Sequence, residues 1–335
     1  MSRNETTDEP AGWRTGPAWQ EMNRTSRRRR RAKAVTAVVL VAGLAVVAVR
    51  PELVTDHFPK RETHAAAPLP AETARPSTAP PEELFPDQPT LKEPFRGSPA
   101  LRWADGAAGI QLPEAKAVGG MSEKQVAHAL AATKELLVAS NIDPATLRGE
   151  YPKAALELLD PLQKDGRGLM EKALRTPSEE ANPVLLFSRF DPSEARVVRD
   201  LVKTRGRITY EKGRSGGELL VHADFTFVYP VVKTKTGSHE EVDRTIVRRE
   251  LTFALYDPQE YGGTPGKLYM IEWAQSTGND DCTRAADGYF HPVFASDLMG
   301  GTPPGVDPSV EAVDPYDRSK GLDDLPQECT ETTRT

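Results

Sequence analysis

Residues 218–231 read Glu218-Leu219-Leu220-Val221-His222-Ala223-Asp224-Phe225-Thr226-Phe227-Val228-Tyr229-Pro230-Val231. Every odd position from Leu219 to Val231 is apolar, and His222, Asp224 and Thr226 alternate with them. Successive side chains of an extended chain point to opposite faces, so a period of two describes a long strand with one face on a core. Outward from this stretch, residues 207–211, 245–256 and 267–276 also read as strands. They are separated by the turn sequences Lys212-Gly213-Arg214-Ser215-Gly216-Gly217 and Gly262-Gly263-Thr264-Pro265-Gly266. Neighbouring strands joined by short connections predict an antiparallel meander.

Upstream, the period changes. Ser122-x-x-Gln125 has the form of a capping box, in which each side chain satisfies an orphan backbone donor at a helix start. Val126, Leu130 and Leu137 then recur at helical spacing, with Ala127, Ala131 and Val138 beside them. This helix is expected to stop near Asn141, because the residue before Pro144 is biased towards extended backbone. Shorter helices are expected at 153–159 and 168–174. Residues 191–204 fit either a capped helix or an entering strand. Helices followed by strands predict an α+β domain over 101–295, with N-terminal helices packed on a curved antiparallel sheet.

The chain has 335 residues. Its first 50 hold ten Lys/Arg against four acidic residues, whereas the remainder holds 33 basic and 45 acidic residues. An acidic body argues against nucleic-acid binding, since phosphate neutralisation supplies most non-specific affinity. Residues 1–31 are polar and end in Arg27, Arg28, Arg29, Arg30 and Arg31, a composition expected to be disordered. From 34 to 49 every residue except Thr36 and Gly43 is apolar. As a helix these sixteen residues rise roughly 24 Å, slightly short of a hydrocarbon core of about 30 Å. Lys33 and Arg50 can snorkel at the two ends.

We read 32–50 as a retained transmembrane anchor. A cleaved signal peptide is the alternative, but no small-x-small site directly follows the apolar run. A buried core helix fits least, because the segment has no polar face and abuts five arginines. Positive charge ahead of the segment sets the N-terminus inside the cell and the main domain outside. The five arginines then face anionic lipid heads, each contributing about 1 kcal/mol. Residues 51–100 contain eleven prolines and read as a stiff linker that reaches at most roughly 150 Å.

Cys282 and Cys329 are the only cysteines, and both lie beyond the apolar segment. An oxidising compartment makes them a disulfide, which stabilises by roughly 3 to 4 kcal/mol in the chain-entropy model. The bridge ties back the Gly-, Pro- and Asp-rich tail 296–335, which would otherwise fray.

The element order, behind an anchor and linker, resembles the cone-shaped cystatin-like or nuclear-transport-factor-like ectodomains of bitopic bacterial envelope proteins. Thr226-Phe227-Val228-Tyr229-Pro230-Val231 and Asp287-Gly288-Tyr289-Phe290-His291-Pro292 are similar to phrases in actinobacterial single-pass membrane proteins. The resemblance implies a source and a shape; it implies no mechanism.

No catalytic frame is legible. Gly213-Arg214-Ser215-Gly216-Gly217 matches the G-x-S-x-G pattern of a nucleophile elbow, yet it lies between two strands, where a hairpin needs glycines anyway. The six histidines lack zinc-site spacing, and Asn279, Asp280, Asp281 and Asp287 lack a calcium-loop spacing. His291, Tyr289 and Tyr229 are the residues expected to share a pocket, if one exists. No cofactor and no metal is expected. The expected function is a non-enzymatic, membrane-anchored envelope protein whose ectodomain acts as an interaction or assembly module. The alternative is a small-molecule or lipid-binding domain with a pocket between helix and sheet, or an exported enzyme whose site is assembled only by folding.

Overall fold

A computed structural model describes residues 87–335, except 215, 235–240, 285, 299–300, 327–328 and 334. The expected basic tail, membrane anchor and most of the linker lie outside the described residues. Among the described residues no helix is long and apolar enough to cross a membrane.

The domain is a mixed α+β fold with a curved antiparallel sheet of six strands. Helix α1, Glu123–Asn141, opens on the expected capping box. Ser122 Oγ accepts from the Gln125 amide, and Gln125 Oε1 accepts from the Ser122 amide. It ends where the sequence turns to Asp143-Pro144, and Asp143 Oδ2 then caps the short helix α2, Pro144–Leu147. Its buried face carries Val126, Leu130 and Leu137 as expected. The flanking positions filling that face are Ala129, Thr133 and Leu136, whereas Ala127 is exposed. Helices α3, Lys153–Leu158, and α4, Arg167–Arg175, follow.

The sheet is built on β4, Glu218–Lys233, and β5, Val242–Tyr256, paired in register Phe225 to Arg249 and Tyr229 to Thr245. Strand β3, Lys203–Lys212, flanks β4, and β6, Tyr269–Gly278, flanks β5. The two-residue β1, Ala104–Asp105, extends the sheet beyond β3. The undecided stretch at 191–204 proves to be an entering strand. Strand β2, Ala195–Val197, runs along the edge of β4 opposite Val231 to Lys233. The chain breaks at Arg199 and Asp200, both at positive φ, and resumes along the same edge as β3. In β3, Gly206 stands opposite Phe225, whose ring would lie 2.3 Å from any Cβ there.

The odd residues of β4 face α1 and the main core, in which Phe225, Phe227 and Tyr229 are fully buried. The even residues face the other way and are also covered past Thr226. A second apolar cluster of Phe95, Ala100, Trp103, Val228, Ile246 and Tyr316 lies on that outer face. Packed structure therefore begins before residue 101: residues 95–100, counted above with the linker, contribute buried side chains. The tail is tied back by Cys282–Cys329, 47 residues apart.

Candidate functional site

The three residues expected to share a pocket are not brought together. Tyr229 points from β4 into the core, where its hydroxyl donates to the Asn141 carbonyl at 2.9 Å and lies 2.8 Å from Ser188 Oγ. Burial pushes this phenol above its usual range. Tyr289 instead lies under the Arg189 guanidinium, 5.1 Å from its ring centre. His291 lines a cavity of about 480 Å³ shared with Glu194, Lys233, Arg284 and Phe294, in which neither tyrosine takes part.

His291 is 4% exposed, and both of its ring nitrogens are already engaged. Nδ1 lies 3.0 Å from Glu194 Oε2 and Nε2 lies 3.0 Å from Asp287 Oδ1. Its amide donates to Asp280 Oδ1 at 2.6 Å. The Arg284 guanidinium, 2.6 Å from Glu194, holds that carboxyl below its ordinary range, and burial pushes Asp280 up to about 6. With both nitrogens engaged, the imidazole acts as a brace between the loop that follows β6 and the turn that precedes β2. Asp281 is used in the same way, accepting from the Thr283 amide and hydroxyl. Among the described residues no group of three or more His, Cys, Asp or Glu side chains is placed to hold a metal ion.

A polar row missed by sequence reasoning crosses the outer face. Strand register sets His222 opposite Thr252 and Thr252 opposite Glu272. His222 Nδ1 lies 3.0 Å from Thr252 Oγ1, and Glu211 lies 3.4 Å from its Nε2. The Thr252 hydroxyl also lies 3.3 Å from Glu272 Oε2, so it sits between an imidazole nitrogen and a carboxylate. Only the even positions of β4 hinted at it; its completion depends on pairing register.

The space between α1 and the sheet is filled. Besides the three aromatic side chains it contains Arg249, fully buried and without a carboxylate partner among its hydrogen bonds. Arg249 donates to Asn141 Oδ1, to the Val184 carbonyl, to Gln275 Oε1 and to Ser188 Oγ. Burial pulls this guanidinium down to about 10.

A wide apolar opening lies on the helical side. A groove of about 1030 Å³ runs between α1, α2 and α3 and is walled by Leu112, Ala131, Val138, Ile142, Tyr151 and Leu158. Leu112 is 41% and Tyr151 56% exposed. Its rim carries both signs of charge, including the ion pair Lys153–Glu157 at 3.6 Å. Val138 and Leu158 lie in segments predicted as helical, but Leu112 and Tyr151 come from irregular stretches with no periodic signal.

No protein-family model, no curated protein and no solved structure matches the chain.

Proposed function

We propose that this protein is a non-enzymatic, membrane-anchored envelope protein whose ectodomain serves as an interaction module. In this reading 32–50 is the anchor, Arg27, Arg28, Arg29, Arg30 and Arg31 face anionic lipid heads inside, and the proline-rich segment holds the domain away from the bilayer. The helices-then-meander order supports the resemblance to cone-shaped, cystatin-like ectodomains.

The observation that carries the reading is the contrast between a filled interior and an apolar groove open at the surface. Phe225, Phe227, Tyr229 and Arg249 occupy the space where a lipid or small-molecule pocket would lie. That removes the motive for the ligand-binding alternative. The groove has the pattern of a protein interface, with an apolar centre, an aromatic side chain and a charged rim. We assign to it an amphipathic helix of a partner protein, laid with its apolar face in the groove.

Two measurements test this. Deleting residues 1–50 should move the protein from the membrane pellet to the soluble fraction. A photo-crosslinking residue at Tyr151, introduced in the producing cell, should give one discrete adduct that Leu112→Glu abolishes. Hydrolysis of ester or cell-wall substrates by the purified protein, lost with one point mutation, would overturn the reading.

A further inference from the structure

The tail segment 314–322 has the form of a bound peptide. It turns at Asp314–Asp317, where the Asp317 amide donates to the Asp314 carbonyl, and then runs without helix or strand to the short turn at Leu322–Asp324; Tyr316, Arg318 and Leu322 are buried. The residues between them, Asp317, Ser319 and Gly321, are less buried. Tyr316 fills an apolar socket of Phe95, Ala100, Trp103, Val228 and Ile246. Its ring meets Trp103 edge-on at 5.7 Å, and its hydroxyl is 2.8 Å from Ser98 Oγ. Two residues on, Arg318 enters a polar socket. Nη2 pairs with Asp224 Oδ2 at 2.6 Å, and the guanidinium also donates to Thr226 Oγ1 and to the carbonyls of Arg205 and Asp224.

The sheet reaches back to the segment's backbone. Arg248 Nη1 donates to the Lys320 carbonyl at 2.7 Å, and Glu250 accepts from the Leu322 amide at 3.2 Å. An aromatic side chain in an apolar socket beside a charge-paired arginine is the kind of anchor by which a protein surface holds a peptide in trans. Here the segment lies within the loop closed by Cys282–Cys329, so it stays beside its own sheet. Cys282 is exposed to an attacking thiol.

We propose that the outer face of the sheet is a peptide-docking site, filled in cis by Tyr316, Arg318 and Leu322 while the disulfide is closed, and filled by the same segment of a second copy once it opens. This rests on the reading of the domain as an interaction module and names a partner for it. Opening needs a dithiol. Its thiolate attacks Cys282 Sγ and releases Cys329 as a thiolate. Its second thiol then displaces Cys282, so the dithiol ends as a disulfide and two protons end on Cys282 and Cys329. Exchange of an identical element between copies costs little, because every contact made in cis is remade in trans.

The test uses the full-length chain in detergent. On a Cys282→Ser/Cys329→Ser background, Tyr316→Ala/Arg318→Ala empties the sockets. A synthetic peptide of residues 312–324 should then bind saturably and raise Tm, as a ligand of the folded state must. The same peptide carrying Tyr316→Ala should bind at least about 30-fold more weakly, as expected of a central aromatic anchor. The disulfide-closed parent should not bind it. Mixing the emptied variant with a Cys282→Ser/Cys329→Ser/Asp224→Asn variant should give a one-to-one dimer. Should the cysteine variants fail to fold, hydrogen exchange on the parent replaces them: a dithiol should expose amides 314–322 and leave β4 protected. No peptide binding to a folded emptied variant, equal binding by the closed parent, or unchanged exchange at 314–322 overturns the proposal. A Tyr151 adduct that persists after such a result would leave the interaction-module reading intact.

Discussion

At the scale of residues, the most consequential side chain is Arg249, a fully buried cation held only by neutral acceptors. Desolvation of a charge is expensive, and four hydrogen bonds to Asn141, Val184, Gln275 and Ser188 offset it. Arg249→Met would leave the buried Val184 carbonyl unmatched, while Asn141 Oδ1 keeps Ser188 and Ser188 Oγ keeps Tyr229; an unmatched buried acceptor costs about 1 to 3 kcal/mol. Urea denaturation should show a loss in that range, and a neutral result would mean that the network contributes nothing net. Asp280 gives a pH prediction. Burial raises it to about 6, against about 4 in the unfolded chain. The folded state therefore binds more protons than the unfolded one between those values. The contribution of Asp280 to stability is fullest below about pH 4 and is lost as pH rises through 6. The groups facing it include His291 and Asp281, with Glu194, Arg284 and Asp287 around the imidazole. Asp280→Asn keeps an acceptor for the His291 amide and removes the charge. It should stabilise by about 1 kcal/mol at pH 7.5 and by nothing at pH 4. An equal change at both pH values would refute this origin. Arg249 did not stand out in the sequence, where it is one of two adjacent arginines in a strand, and Asp280 drew notice there only as one of a cluster of acidic residues.

At the scale of elements, local chemistry and packing can be separated on α1. Ser122→Ala removes one side of the capping box and should cost about 1 kcal/mol. Leu130→Ala empties a site that is 1% exposed and should cost about 2 to 5 kcal/mol. Thermal unfolding of both variants checks the order; a cap that matched the core residue would show that the helix depends little on its packing. Both features were legible because helix starts and apolar spacing are local properties. The long strands were legible for the same reason, since alternation persists over a whole element. The break between β2 and β3 was not. Arg199 and Asp200 adopt positive φ, a conformation that non-glycine residues rarely take, because β4 holds both flanking strands on one edge.

At the scale of the whole molecule, the disulfide closes the tail over the second face of the sheet. Cys282→Ser/Cys329→Ser should lower stability by roughly 3 to 4 kcal/mol, and more if the segment anchored by Tyr316 and Arg318 also leaves. Urea denaturation of the variant against its parent measures it, and an unchanged midpoint would show that the sockets alone hold the tail. The residues alone determined the α+β class, the start and end of α1, the meander and the cysteine pair. These follow from period, caps, turn residues and composition, all of which act between near neighbours in the chain. They also prompted a shared pocket for His291, Tyr289 and Tyr229, which folding does not make. Tertiary structure alone decided that the interior is plugged, that Thr252 lies between His222 and Glu272, and that a groove opens between the helices. It also decided that Tyr316 and Arg318 dock on strands about a hundred residues earlier. Each depends on pairing register and on side chains distant in sequence, and no local pattern encodes which of two faces a distant segment will cover.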